Sequence, residues 1–379
     1  MHRAVWLIVA AELLGTSLWF SGNHAIGELA REWDLQGAEK GWLLLATQLG
    51  FIVGTLGVSL SGLADAFPSN RIFAVCALVG AAANAGFGLL ADDLETALTF
   101  RFVTGLALAG VYPLGMKLVV TWAPGQGGAA LGWLVGALAM GAGVPFLATA
   151  LAVSGDWEVP VLVSSALATL SAVMIWGLGE GPARKPTVPM SWSRVWAAFR
   201  VPNFRASAFG YFGHMWELYA FWALVPLLVA LVGDDFSVAW GSFGVIAAGA
   251  CGCVIGGKLS GRVGSAAVAG SALAVSALMC ALSPALGLMP GWLALLALGV
   301  WGFAVVADSP QFSAMSAKYC PPESVGSALA VQNAVGFSIT LASIPLTQAL
   351  WEEWGAYTPW VLFPGPVLGR LAMRRLFRR

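Results

Sequence analysis

The stretch EGPARKPTVPMSWSRVWAAFRVPNFR (Glu180–Arg205) decides the organisation of this chain, because it is a long polar connection between two series of apolar segments. A transmembrane helix needs about 20 mostly apolar residues, and six such segments precede this stretch and six follow it. The sequence therefore predicts an all-α integral membrane protein with twelve transmembrane helices in two pseudo-symmetric six-helix bundles. The predicted spans are residues 4–26, 41–63, 71–91, 97–122, 128–153, 159–179, 206–232, 238–259, 266–283, 292–317, 325–349 and 356–373.

The composition excludes a soluble domain and several functional classes. Of the 379 residues, 59% are hydrophobic and only 10% are charged. The formal net charge is zero, which gives no electrostatic case for nucleic acid as a partner. Cys251 and Cys253 point to different faces of a helix, which is poor geometry for a metal site. We expect no metal, no cofactor and no disulfide framework.

The distribution of charge predicts the orientation, because Lys and Arg accumulate on the cytoplasmic side of a membrane. One set of alternate connections, with both termini, holds fifteen basic residues and three acids (Asp65, Glu180 and Glu323). The other set holds thirteen acids and two basic residues, Arg31 and Lys40. We therefore expect a multi-pass protein of the cytoplasmic (inner) membrane with both termini in the cytoplasm.

Internal repetition supports a division into two halves. Gly105 and Pro113 in the fourth predicted helix match Gly302 and Pro310 in the tenth at an offset of 197 residues. A second Gly and Pro pair repeats at an offset of 200 residues, Gly136 and Pro145 with Gly336 and Pro345. The expected parts are an N-terminal bundle, a cytoplasmic linker and a C-terminal bundle, at residues 1–179, 180–205 and 206–379.

Two loop sequences resemble a known family motif, Gly-x-Leu-Ala-Asp-Arg-x-Gly-Arg-Arg. SGLADAFPSNR (Ser61–Arg71) supplies Leu63, Ala64, Asp65 and Arg71, but has Ser61, Ala66 and Pro68 where the motif has Gly, Arg and Gly. GKLSGRVG (Gly257–Gly264) keeps Arg262 and lacks the acid. With the repeat, these stretches make the chain resemble the major facilitator superfamily over its whole length.

This resemblance implies a secondary transporter with a substrate site between two halves near the membrane midplane. It implies that predicted helices one, four, seven and ten line the cavity, and that Asp65, Arg71 and Arg262 act in a cytoplasmic gate. RFVTGLALAGVYPLGMKL (residues 101–118) also suggests the subgroup of cyanate and nitrate–nitrite permeases. GALAMGAGVP (residues 136–145) does not reproduce the Gly-x-x-x-Gly-Pro pattern of antiporters, so the coupling mode stays open.

Ionisable residues inside membrane spans are rare and mark functional sites. Arg101 and Tyr112 share a face of the fourth predicted helix, so Arg101 is a candidate anion receptor or a partner for Glu12. Its alternative role is an anchor at the membrane interface, and Lys117 points away and is expected to extend to the interface. The predicted substrate-binding residues are Arg101, Tyr112, Trp19, Asn23 and Gln311.

The stretch YFGHMWELYAFW (residues 211–222) places His214 and Glu217 three residues apart, so they share one helix face and can hydrogen-bond. Glu217 and Asp308 lie near the bilayer centre by residue count, where an ionised carboxyl is costly and a proton relay is a common role. The predicted proton-coupling residues are Glu217, Asp308, Glu12 and His214. The alternative is that each carboxyl only bonds a neighbouring helix.

The predicted function is therefore secondary active transport of a small solute, an anion rather than a cation, by alternating access with proton coupling. The alternative is a drug or metabolite efflux antiporter. A facilitative channel would not need two like-oriented bundles, and an intramembrane enzyme would need a nucleophile that the His214 and Glu217 pair lacks. The expected partners are the small-molecule substrate, protons and the lipid bilayer, and we expect a monomer.

Overall fold

The computed structural model describes residues 2–22, 25–35, 38–124, 127–151, 156–183, 191–232 and 235–377. Within these ranges the chain is helical and contains no strand, which confirms the all-helical class. Its internal contacts divide it into two units: Met1–Gln126 with Ala137–Lys185, and Gly127–Gly136 with Pro186–Arg379. The domain boundaries expected from the sequence stay a prediction.

Eight helices begin among the described residues of the first half of the chain. They are α1 (Arg3–Thr16), α2 (Ile26–Glu32), α3 (Ala38–Ser61), α4 (Leu63–Ala66), α5 (Ser69–Leu90), α6 (Leu94–Trp122), α7 (Gly127–Leu151) and α8 (Glu158–Trp176). Helix α6 has a well-defined start, because the side chain of Asp93 accepts a hydrogen bond of 2.8 Å from the backbone N–H of Thr96. That bond holds the pKa of the Asp93 carboxyl below its usual range.

Glycine allows α3 and α6 to pack backbone against backbone. A Cβ atom at Gly105 of α6 would collide with the carbonyl oxygen of Thr47 and come within 3.0 Å of the backbone nitrogen of Phe51. In the opposite direction, Gly50 of α3 faces the carbonyl oxygen of Phe102. Both contacts require the absence of a side chain, so this pair of helices approaches more closely than larger residues would permit.

The part of the second half that the structure describes contains eight further α-helices. They are α9 (Trp192–Arg200), α10 (Pro202–Ala230), α11 (Asp235–Val263), α12 (Ser265–Leu282), α13 (Gly291–Ala307), α14 (Ser309–Tyr319), α15 (Val325–Trp354) and α16 (Pro364–Ala372). Short 3₁₀ segments lie at Ser283–Leu288, Pro322–Ser324, Gly355–Val361 and Met373–Phe377. Gly302 of α13 lies against the carbonyl oxygen of Val245 on α11, as Gly105 does against Thr47. The repeat match of Gly105 with Gly302 therefore corresponds to the same kind of contact in each unit.

The predicted span 292–317 is divided at Asp308. Helix α13 ends before this residue and α14 begins after it, and the backbone carbonyl of Asp308 accepts hydrogen bonds from the N–H groups of Gln311 and Phe312. Pro310 has no N–H and its ring would collide with the turn before it, so a continuous helix is disfavoured here. The break places the Asp308 carboxyl at a junction between two helices.

Ten helical segments of the described chain are long and apolar enough to cross a membrane. Helix α1 is not among them, because it has 14 residues and ends at Thr16, well before the predicted end at residue 26. Hydroxyl groups compete with the helix there: Ser17 donates to the Leu14 carbonyl at 2.6 Å and Thr16 donates to that of Glu12 at 2.7 Å. At the other end, one segment of 56 residues, Pro322–Phe377, includes α15 and α16. The count of twelve stays a prediction.

Candidate functional site

Arg101 is a buried cation on α6, with 1% of its surface exposed. Its guanidinium donates to the carbonyl oxygens of Trp19 at 2.7 Å and Leu18 at 3.3 Å, which lie just beyond the end of α1. It also donates to Oγ of Ser21 at 3.0 Å and to Oδ1 of Asn84 at 2.9 Å. Arg101 therefore supplies donors to backbone carbonyls of the chain that follows the end of α1.

Asn84 of α5 extends this polar cluster to α8. Its Oδ1 accepts a hydrogen bond of 2.5 Å from Ser21, and its Nδ2 donates to the carbonyl of Val161 and to Oγ of Ser165 on α8. The cluster thus joins the chain after α1 with α5, α6 and α8. Asn84 was not among the predicted site residues, although a buried amide in an apolar helix is a common interhelical hydrogen-bond partner.

Glu12 is fully buried on α1, and neither carboxylate oxygen has a hydrogen-bond partner among the described residues. Its Oε2 faces Gly115 of α6, where a Cβ atom would collide with it, and the ring of Phe73 lies beside the same glycine. The suggested pairing of Glu12 with Arg101 is not formed in this structure, because the guanidinium contacts the chain six to nine residues further along. Glu12 is an isolated polar group in apolar surroundings.

The other predicted substrate-binding residues do not gather around the Arg101 guanidinium. Tyr112 is buried on α6, but eleven residues of helix separate it from Arg101, which is about 16 Å along the axis. Trp19 is 3% exposed and its ring packs 4.7 Å from that of Phe51. Gln311 is buried on α14, and Asn23 lies outside the described residues. Arg101 and Tyr112 therefore cannot both contact one small functional group.

His214 and Asp308 form a buried pair in the C-terminal unit. Nδ1 of His214 on α10 lies 2.9 Å from Oδ1 of Asp308 at the break between α13 and α14, and each residue is 1% exposed. The contact is close but poorly aligned, since Oδ1 accepts no well-oriented hydrogen bond within the described chain, and Nε2 of His214 has no partner there either. The rings of Tyr211 and Phe312 border the imidazole at 6.0 and 5.7 Å.

Glu217 lies one turn further along α10 and contacts a different set of residues. Its Oε1 accepts hydrogen bonds from Oγ of Ser276 at 2.5 Å, Nε1 of Trp301 at 2.8 Å and Sγ of Cys280 at 3.3 Å. The predicted bond between His214 and Glu217 is therefore wrong for this conformation, although both residues lie on the buried face as expected. Ser276 and Cys280 were not among the predicted site residues, although their spacing of four residues places both on one face of α12.

The predicted gating residues lie at helix ends. Arg71 is exposed on the first turn of α5 with its guanidinium 5.9 Å from the ring of Trp176, and Arg262 is exposed near the end of α11. Asp65 belongs to α4, and its side chain is outside the described part of the structure. Their role in a gate stays a prediction.

The chain after α8 folds back against the N-terminal unit. The Glu180 carboxylate accepts a hydrogen bond from the backbone N–H of Ser69 at the start of α5, where an anion is favoured. Asn70 donates to the carbonyl of Trp176 at 2.7 Å, and the N–H of Ala183 donates to that of Thr121 at 3.2 Å. Residues 180–183, which were expected to belong to a linker, therefore contact α5 and α6.

Lysine at position 101 tests the function of the arginine cluster. Arg101→Lys keeps the charge but cannot serve four acceptors in a fixed arrangement. We expect the variant to fold with a lower melting temperature, since each buried acceptor left without a donor costs about 1–3 kcal/mol. Arg71→Lys at the exposed end of α5 is the matched control and should melt like the unchanged protein. Equal melting temperatures for the two variants would contradict the anchoring role.

Comparison with known proteins identifies a family and several relatives. The family model described as the Major Facilitator Superfamily matches residues 5–344. A niacin transporter, NiaP of Acinetobacter baylyi, is 36% identical over 121 residues, which cover 29% of this chain and 27% of that protein. The putative uncharacterized transporter YgaY of Escherichia coli K12 is 25% identical over 185 residues, 46% of this chain and 45% of that protein. The matches thus span less than half of these relatives.

A solved structure supports the same fold. The proton:xylose symporter XylE bound to 6-bromo-6-deoxy-D-glucose superimposes with a TM-score of 0.75 and covers 98% of this chain and 94% of its own. The sequence identity is 14%, so the similarity concerns the fold alone.

Proposed function

Since the chain belongs to the Major Facilitator Superfamily, we propose that it is a secondary active transporter that moves a small solute by alternating access and couples this movement to protons. Membership of a transporter family and similarity to named transporters argue against an enzyme. The observation that carries the proposal of proton coupling is the buried His214 and Asp308 pair next to the buried Glu217.

These groups lie on helices of membrane length, where an ionised side chain without a partner is costly. A proton on Asp308 removes the negative charge that attracts a protonated imidazole, so the pair weakens; loss of the proton restores the attraction. Glu217 also has a structural role, because three hydrogen-bond donors on α12 and α13 contact its Oε1 and link these helices to α10. In this proposal Glu217 takes and releases the coupling proton, and the looser pair of His214 and Asp308 works with it.

The proposed solute is a small organic anion. Arg101 is a buried cation on α6, and a solute carboxylate would compete with the carbonyl oxygens of Leu18 and Trp19 for its donors. The name of the Acinetobacter baylyi relative points to niacin, a small carboxylic acid, which supports the same class of solute. An efflux antiporter for drugs or metabolites is the second candidate, because the fold serves either direction of coupling.

Transport by the purified protein in proteoliposomes tests the proposal. Labelled niacin and other small carboxylates are the probes, and saturable counterflow that increases under an imposed pH gradient is the expected result. Accumulation on the alkaline side indicates symport with protons, and accumulation on the acidic side indicates antiport. Flux without counterflow would indicate a channel, and chemical conversion of the probe an enzyme; either result would contradict the proposal.

The topology, oligomeric state and gate expected from the sequence belong to the same proposal. They are twelve spans in two six-helix bundles, a monomer in the cytoplasmic (inner) membrane with both termini in the cytoplasm, and a gate with Asp65, Arg71 and Arg262. The placement near cyanate and nitrate–nitrite permeases also belongs here. The asymmetry of basic residues between alternate connections supports the orientation.

Cysteine labelling tests the orientation. Asp92 is exposed in the connection before α6, and unlike Asp93 it makes no cap contact, whereas Glu323 is exposed in the connection before α15. With Cys251 replaced by Ala, we expect Asp92→Cys to react with a membrane-impermeant thiol reagent in intact cells and Glu323→Cys to react only after lysis. Labelling of Glu323→Cys in intact cells would reverse the proposed orientation.

A further inference from the structure

Helix α9, in the polar connection, has two distinct faces. The side chains of Val195 and Ala198 are 4% and 0% exposed, whereas those of Trp192 and Trp196 are 61% and 67% exposed. Arg200 is also exposed, four residues beyond Trp196. The exposed side therefore carries a stripe of two tryptophans and an arginine at a spacing of four residues, which we call the Trp-Arg stripe (Trp192, Trp196 and Arg200).

The opposite side of α9 is fixed to the C-terminal unit, so the direction of the stripe is determined. Ala198 belongs to a buried apolar cluster with Phe204 and Ala208 of α10 and Ala328 of α15. The backbone N–H of Ser191, which precedes α9, donates to Oγ of Ser327 at 3.2 Å. The two exposed tryptophans are thus held outward by packing behind them.

The position of α9 points to a membrane as the occupant of this face. A single residue, Val201, separates α9 from α10, which is long and apolar enough to cross a membrane. The stripe therefore lies beside the N-terminal end of a candidate membrane span, which is the headgroup level for a helix that crosses. Tryptophan and arginine at this level are typical of an amphipathic helix in the headgroup region, with indole rings among the lipid glycerol groups and guanidinium groups on phosphates.

The surrounding charge indicates which lipids the stripe would select. Arg205 on the first turn of α10 is exposed, and the exposed Arg375 donates from Nε to Oδ1 of Asn203 at 3.0 Å. Arg374 is exposed next to it. Between Glu180 and Glu217 the sequence contains no Asp or Glu. Glu323 lies in the 3₁₀ segment that contacts α9, but the exposed arginines outnumber it, and an excess of basic side chains attracts anionic headgroups.

We propose that the Trp-Arg stripe docks into the headgroup region of an anionic lipid leaflet at the end of α10, the leaflet that the charge distribution assigns to the cytoplasm. Docking would hold α9 flat on the membrane and fix the start of α10. The other conceivable occupants, a soluble protein or a second copy of the chain, are distinguished by the test.

Nitroxide labelling in nanodiscs tests this docking. Ala197 is small, exposed and adjacent to Trp196, so Ala197→Cys in a Cys251→Ala background reports the depth of the face. The full chain is placed in nanodiscs of phosphatidylcholine alone or mixed with phosphatidylglycerol. Collision of the label with lipid-soluble oxygen and with a water-soluble nickel chelate is then measured by power-saturation EPR.

We expect the anionic discs to give the high oxygen and low chelate access of an interfacial site. The double change Trp192→Ser with Trp196→Ser should return the label to the chelate access of a water-exposed site. Trp292→Ser, which removes a tryptophan that is 70% exposed elsewhere, should change nothing. Arg200→Gln with Arg205→Gln should remove the difference between the two lipid compositions.

Two results would overturn the proposal. The first is high chelate access in both lipid compositions, which would show a face open to water. The second is equal protection from the chelate in both compositions and in detergent, which would show that protein covers the face. The melting temperature of each variant is measured on the same sample, which shows whether that variant is folded.

Discussion

Alanine at position 105 should strongly destabilise the N-terminal unit. The added Cβ would collide with the carbonyl oxygen of Thr47 and crowd the backbone nitrogen of Phe51, and backbone atoms cannot rotate away as a side chain can. Overpacking of a core usually costs about 1–3 kcal/mol, and we expect Gly105→Ala to lie at or above the upper value. The measurements are the yield of monodisperse protein after extraction and its melting temperature.

The chain offers a matched control on the helix that Gly105 contacts. Gly57 lies on α3 and has no atom within 4 Å of the position that a Cβ would occupy. Gly57→Ala should therefore raise the melting temperature slightly, since alanine favours a helix over glycine by about 1 kcal/mol. Gly302→Ala should repeat the loss in the C-terminal unit, because Gly302 faces the carbonyl oxygen of Val245. A Gly105→Ala protein as stable as Gly57→Ala would contradict the close helix contact.

Glutamine at position 217 should abolish solute accumulation driven by a pH gradient and leave solute exchange intact. Gln keeps an oxygen that can accept from Ser276, Cys280 and Trp301, so the helix contacts survive, but it cannot take or release a proton at physiological pH. Exchange of solute for solute does not need a complete proton cycle and should persist. Accumulation under an imposed gradient, with counterflow in the same vesicles, measures the two activities.

Further variants separate coupling from structure at the same cluster. Glu353→Gln, an exposed acid on α15, should leave accumulation unchanged. Glu217→Leu should reduce stability as well, because it leaves three buried donors without an acceptor, each at a cost of about 1–3 kcal/mol. His214→Gln should shift the pH optimum of transport without abolishing it. If Glu217→Gln accumulates solute with an unchanged pH profile, Glu217 is structural and the proton site lies at Asp308 or Glu12.

The sequence predicted that His214 and Glu217 would share one face of α10, because helical periodicity depends on local spacing. His214 and Glu217 do lie on one buried face. It grouped Asp308 with them as a proton-coupling residue but did not predict which side chains each of them contacts, since Asp308, Ser276 and Trp301 reach α10 from helices far along the chain. The contacts of each carboxyl depend on how α12 and α13 are shifted and rotated against α10, and one sequence does not encode this in any short pattern.

The positions of helix ends also could not be predicted from hydropathy alone. The predicted first span continued to residue 26, but α1 ends at Thr16, where Thr16 and Ser17 bond the backbone and Arg101 supplies donors to the carbonyls that follow. The sequence contains all of these residues, but it does not show which of them are in contact. Hydropathy does not show that Arg101 contacts this segment. Its donors stabilise the non-helical chain, so the helix can end early at a low cost in free energy.

The contacts of residues 180–183 determine where the chain could be cut into two separately expressed halves. A cut after Gly179, at the boundary expected from hydropathy, would remove the Glu180 carboxylate from the start of α5 and the Ala183 N–H from the Thr121 carbonyl. A cut after Ala183 leaves both contacts within the first fragment. For a split transporter reassembled from two polypeptides, the break point therefore follows from hydrogen bonds rather than from the end of the last apolar run.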